Sequence, residues 1–334
     1  MKTRVALFYP FDLGLELDFT GAAARAVVQE VSSHSLPPLT LGGRMFMNAT
    51  AESHLYRFGV GLVQVNFELD CDLNDCADIS CNAEKISVGK TAIADWCKMR
   101  VVELIERAQE FAAHRYDLRL EDSEIFPMFM FPLNEVEDAD GFIRENYKAL
   151  YGIVAGEANF DMLSDFVFQR EPLGNFGYYQ NEVIIVKRFG SVVACSESEK
   201  VQDLIALAYA QYWSLKSYHF VLDSEIDTAQ KLLEELPPYY KFWKIPAQYQ
   251  RFSRDAIDFG KDKLSIVDSL YNVSTNVPGI DSDWHLTTLY RNVAKVYNLD
   301  EQLPCAAPDH DVFGFQRSVY DSRLMRGGKG LGNA

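Results

Sequence analysis

The most regular feature of the chain is an apolar stripe through Val201, Ile205, Ala208, Tyr212, Leu215, His219, Leu222, Ile226, Ala229, Leu233 and Leu236, whose spacings alternate four and three residues. That spacing keeps one face of a helix apolar and predicts a single long helix. Ser196-Glu197-Ser198-Glu199 supplies capping oxygens and early negative charge at its start, and Pro237-Pro238, which cannot continue backbone hydrogen bonding, ends it. A second helix is expected over 246–273, with Phe252, Ala256, Phe259, Ile266, Leu270 and Val273 in one apolar row and Ile257, Leu264, Val267 and Tyr271 in an adjoining one. A third, entered through Asp281-Ser282-Asp283, carries Trp284, Leu286, Leu289, Tyr290, Val293 and Val296. Together they predict an antiparallel long-helix bundle over 196–303.

Upstream the periodicity shortens. Residues 4–9, 54–68, 124–131 and 181–194 are rich in Val, Ile, Phe and Tyr and read as strands, the last divided by Arg188-Phe189-Gly190 into a hairpin. Residues 91–114 place Cys97, Val101, Leu104, Ala108 and Phe111 on one helical face, and 21–31 and 140–154 are further helices. No clean alternation of strand and helix appears, which favours an α+β fold with a mixed or antiparallel sheet over a doubly wound parallel one. The expected organisation is an α+β domain over 1–195, the helical domain over 196–303, and an extended, partly disordered tail over 304–334 that ends in a Gly-rich run.

Composition narrows the partners. With 48% hydrophobic and 13% aromatic residues the chain can build a packed core, and its net charge of −16 disfavours phosphate backbones and anionic lipid surfaces, so neither nucleic acid nor membrane is an expected partner. The apolar run at Val5 is interrupted by Pro10 and Asp12 before a signal peptide could form, and no window reaches the roughly 20 apolar residues of a membrane span. A soluble, cytoplasmic protein is expected.

Candidate chemistry is sparse. Cys71, Cys76 and Cys81, each separated from the next by four residues, are the candidate metal ligands, since thiolates gathered in a loop can bind zinc or an iron-sulfur cluster. They form no C-x-x-C pair, and Cys97 falls on a helical stripe, so reduced thiols without metal or cofactor are expected. Ser87-Val88-Gly89-Lys90-Thr91 resembles the end of a phosphate-binding loop, but Glu84 stands where its first glycine is required, and a helix-capping turn is the better reading. Gly59-Val60-Gly61 lacks the third glycine of a dinucleotide fingerprint, and a bend or bulge in an apolar strand accounts for it. The histidines are dispersed, and only His219 stands out, on the seam of the long helix where a polar group can fix register or titrate; a satisfied core histidine is expected. Acidic runs at 121–124 and 135–140 lack the ligand order of a calcium loop.

Residues 204–215 and 222–227, with Trp284-His285-Leu286-Thr287-Thr288-Leu289-Tyr290, Tyr297-Asn298-Leu299-Asp300 and Phe58-Gly59-Val60-Gly61, resemble the required-for-meiotic-nuclear-division family over about a third of the chain. The resemblance implies an α/β N-terminal part followed by long helices, organelle or scaffold roles, and no catalytic residues to carry over. Members commonly bear a hydrophobic C-terminal anchor, where this chain has polar residues and the Gly-rich run, so a membrane role is not expected here.

Two functions compete. A long stripe without any complete catalytic motif favours a non-enzymatic interaction or scaffold protein, homo-oligomeric or bound to a protein partner through the helical part. The alternative is an enzyme or small-ligand binder with its site between the α+β layer and the helices, using the aromatics Phe176, Tyr178, Tyr179, Tyr239, Tyr240, Phe242 and Trp243.

Overall fold

A computed structural model of the chain describes residues 1–12, 34–56, 60–109, 124–164, 166–234 and 284–299. The expected helices over 21–31 and 246–273, the Asp281-Ser282-Asp283 entry, the tail, and Tyr239, Tyr240, Phe242 and Trp243 lie outside the described residues, as does the side chain of His219.

The described strands are β1 (Lys2–Asp12), β2 (His34–Ser35), β3 (Leu39–Leu41), β4 (Arg44–Phe46), β5 (Thr50–Leu55), β6 (Val60–Asp70), β7 (Ser87–Val88), β8 (Thr91–Ala92), β9 (Phe126–Met130), β10 (Val183–Lys187) and β11 (Gly190–Ala194). The described α-helices are α1 (Leu73–Cys81), α2 (Ile93–Gln109), α3 (Ala139–Glu145), α4 (Tyr147–Ala155), α5 (Val167–Arg170), α6 (Ser198–Glu234) and α7 (Trp284–Val296). The fold is α+β. Its main sheet has the order β10-β11-β9-β1-β6-β5-β2 and is mixed: β11 runs parallel to β9 and every other pairing is antiparallel. A smaller sheet, β4-β3-β7-β8, lies beside it.

The main sheet is covered on both faces, which is why β1 reads as an unbroken apolar run instead of alternating. On one face Val5, Leu7, Tyr9 and Phe11 join Val63, Val65, Phe67 and Phe129 in a core closed by α1, α2 and α4. On the other, Ala6, Phe8, Leu62, Phe126 and Met128 pack against Val201, Leu204, Ile205, Ala208, Tyr209 and Trp213 of α6 and Leu289, Val293 and Ala294 of α7. Packing is therefore continuous across residue 196. The first part of the apolar stripe is occupied by the sheet, while the helix itself runs unbroken for 37 residues, about 55 Å.

Several local expectations are corrected. Residues 54–68 are not one strand: β5 and β6 form an antiparallel pair in which Leu55 faces Gly61. The span 140–154 is two helices, broken at Asn146, whose φ of −109° and ψ of 16° leave the helical range. Gly89 does not cap a helix. It sits at φ +64° in the two-residue turn between β7 and β8, where a left-handed first position suits the strand twist, and α2 starts only at Ile93. Gly61 marks no bulge, because the β1 and β6 register runs through it without a slip; a Cβ there would overlap the ring of its cross-strand partner Phe11.

Candidate functional site

Of the candidate thiols only Cys71 lies in a loop, because Cys76 and Cys81 belong to α1. Asp72 caps this helix, its Oδ1 accepting from the Asp75 N–H at 2.8 Å. Cys71 precedes the cap and Cys76 is the fourth helical residue, the two positions whose side chains meet across a helix start and fix the angle at which the chain enters. The sequence therefore brings these sulfurs together for a local reason, and they stand 3.2 Å apart. Cys81 goes elsewhere: its Sγ lies 3.8 Å from the Gly152 carbonyl, beside the 2.7 Å bond from Ser80 Oγ to the Ile153 carbonyl that pins α1 to α4. Cys97 is buried in the core, where desolvation pushes its thiol up. Among the described residues no three His, Cys, Asp or Glu side chains gather as a metal site.

A second constellation lies between the main sheet and the helices. The segment leading into β10 is built on Asn175, whose Oδ1 accepts from the N–H groups of Gly177 and Ile184 at 2.9 Å each and whose Nδ2 donates to the Glu182 carbonyl at 2.8 Å. Gly177 is required here, since a Cβ would overlap that same carbonyl oxygen. Folded in this way, the segment raises Tyr178 and Tyr179 edge to face, centroids 5.3 Å apart, and leaves both more than half exposed. His285, from the first turn of α7, lies with its ring centroid 3.8 Å from that of Tyr178.

Beneath these rings lies Glu182, a residue only 6% exposed. Its Oε1 accepts from the Ser196 N–H at 3.3 Å and from Ser196 Oγ at 3.2 Å, and its Oε2 from the Tyr179 N–H at 3.3 Å. Burial of so polar a side chain demands such partners. The result is a pocket of about 220 Å³ walled by Phe176, Tyr178, Tyr179, Glu182, Glu197 and His285, with Leu286, Leu289 and Val201 as its apolar side. Cys195 lines it too, its thiol pushed up to about 11 by burial and so protonated at neutral pH.

The structure thus unites the aromatics Phe176, Tyr178 and Tyr179 with two residues that periodicity did not single out, Glu182 and Ser196. One local signal marks Glu182: it is an acid directly before the apolar run Val183-Ile184-Ile185-Val186. The arrival of His285, more than a hundred residues away in the chain, has no local signal. A third polar group, on the face of β5 and β6 beside α6, links Gln64 Nε2 to Asn66 Oδ1 at 2.8 Å and Asn66 Nδ2 to Glu52 Oε1 at 3.0 Å, with His54 Nε2 3.8 Å from the same Glu52 oxygen.

The chain matches no family model, no curated protein and no solved structure.

Proposed function

We propose that the chain is a small-ligand-binding protein whose site is the pocket between the main sheet and helices α6 and α7, and that its ligand is a compact organic cation. The observation that carries this reading is the lining itself: Phe176, Tyr178, Tyr179 and His285 stand around the Glu182 carboxylate, and neither Lys nor Arg is among the lining residues, while Glu197 is already paired with Lys200 at 2.8 Å. Aromatic faces and a desolvated carboxylate both attract an ammonium group. The volume suits a small amine and not a nucleotide or a peptide.

Titration with tetramethylammonium or choline, followed by tyrosine fluorescence and thermal shift, tests it. Saturable binding that is lost in Tyr178→Ala, a change at a half-exposed ring that leaves the core intact, supports the site. An unchanged melting curve and spectrum at millimolar cation would sink it.

Assembly through the helical part is the second reading, and one observation favours it. Helix α6 continues to Glu234, well past Ser217, with Asp227, Gln230 and Lys231 exposed, and the sequence continues its four-and-three apolar spacing through Leu222, Ile226, Ala229 and Leu233 along the same stretch. An antiparallel bundle over 196–303 or a second copy of the chain would bury that stripe, and the family resemblance points the same way. Light scattering across a dilution series separates the two, since a monomer at every concentration removes the self-assembly.

A further inference from the structure

The two sulfurs at the start of α1 sit in a place the ligand pocket does not use. Cys71 follows β6 and its N–H donates to the Met1 carbonyl at 3.2 Å, while Cys76 is anchored one helical turn further on and is fully buried. Their separation of 3.2 Å is set by the cap geometry of Asp72, and closing it to a disulfide of about 2.05 Å asks for roughly 1.1 Å of approach, within reach of side-chain rotation. Reactivity also needs a route. Cys71 lies in the wall of an open groove of about 810 Å³ together with Asp72, Arg144, Tyr147, Lys148 and Asp161, whereas Cys76 stands behind it. Cys71, only 8% exposed, borders the groove, and Cys76, fully buried, waits within bonding distance behind it, an arrangement of an attacking and a resolving thiol.

We propose that Cys71 and Cys76 form a redox site for small hydroperoxides. The Cys71 thiolate attacks one peroxide oxygen, the O–O bond breaks, and the second oxygen leaves as water after taking a proton, so that Cys71 becomes a sulfenic acid. Cys76 then attacks that sulfur, the S–O bond breaks, and the hydroxyl departs as a second water with the Cys76 proton. Two thiols and one hydrogen peroxide give one disulfide and two waters; the sulfurs lose two electrons and the peroxide gains them.

Electrostatics agree with the assigned order. A Cys76 S–H donating to Cys71 favours the Cys71 thiolate, with the Thr3 hydroxyl adding to the effect, so Cys71 lies below its ordinary value and Cys76 above it. The other described thiols, Cys81, Cys97 and Cys195, are all shifted upward by burial.

The test is peroxide treatment of the full, reduced chain followed by intact mass measurement and peptide mapping. The expected result is a loss of two hydrogens, a peptide linked through Cys71 and Cys76, and full reversal by dithiothreitol. In Cys76→Ala the intermediate is trapped, and dimedone should label Cys71; in Cys71→Ala it should leave Cys76 unlabelled. If either variant fails to fold, Cys81→Ser, which touches neither sulfur, must still show the same linked peptide. Free Cys71 and Cys76 after treatment, or a link that runs through Cys81 instead, overturns the proposal.

Discussion

At the scale of single residues, contacts invisible to periodicity decide what a position tolerates. Gly61 is an example: the ring of Phe11, fully buried, lies over it, so a side chain must displace an aromatic that has nowhere to go. Gly61→Val should destabilise the fold by about 1–3 kcal/mol, the cost typical of overpacking, and a denaturant midpoint would show it. The pairing of His54 with Glu52 has a pH signature. Burial works against the His54 cation, but the Glu52 carboxylate, with Asp203 behind it, more than offsets this and leaves His54 above its ordinary value of 6.5. Glu52, with the imidazole beside it, is held below its ordinary value of 4.5. For a raised histidine the stabilisation is complete below the unfolded value and fades as pH rises through the folded one; for a lowered carboxylate it is complete above the unfolded value and fades as pH falls through the folded one. The pair therefore contributes fully between pH 4.5 and 6.5. Both side chains are about a third exposed, so the effect should stay under about 1 kcal/mol, and melting His54→Gln beside the parent at mildly acidic and alkaline pH should show its disappearance.

At the scale of elements, local chemistry was legible wherever one pattern dominated. The hairpin of β10 and β11, the helix α7 and the described part of the long α6 lie where the apolar spacing of residues 181–194, 284–296 and 201–236 puts them. Helix α1 escaped because its buried positions are Cys76, Ala77, Ile79 and Ser80, and thiols weighed as metal ligands do not register as apolar, although a free cysteine packs as a small hydrophobe. The signal was Asp72 three residues before Asp75, a cap with early negative charge. Asp72→Ala should cost about 1 kcal/mol in chemical denaturation, and Asp72→Asn, which keeps a side-chain acceptor, only a fraction of that. The candidate site was readable in part for the same reason: Phe176, Tyr178 and Tyr179 are a local aromatic cluster, whereas Glu182 meeting Ser196, and His285 meeting Tyr178, arise only when separate elements dock.

At the scale of the molecule, the sheet and α6 share one hydrophobic core, and this governs how the stripe should be dissected. A regular alternation of four and three has the same appearance whether a helix faces a partner helix or a sheet, because only the helix period enters it. Its first part faces the sheet: Ile205 is fully buried in the core with Phe8, Leu62 and Phe126. Ile205→Ala should therefore cost about 2–5 kcal/mol, the transfer term plus the cavity left behind, and should lower the global unfolding midpoint. Lys231, exposed near the end of α6, should move stability by less than about 0.5 kcal/mol when changed to Ala. Hydrogen exchange adds a spatial readout. If α6 draws its stability from the sheet, amides around Ile205 should open only with global unfolding, and Ile205→Ala should accelerate exchange in β1 and β6 as much as in the helix. Acceleration confined to α6, with the strands unchanged, would instead make the helix a separate unit laid against an independently stable sheet.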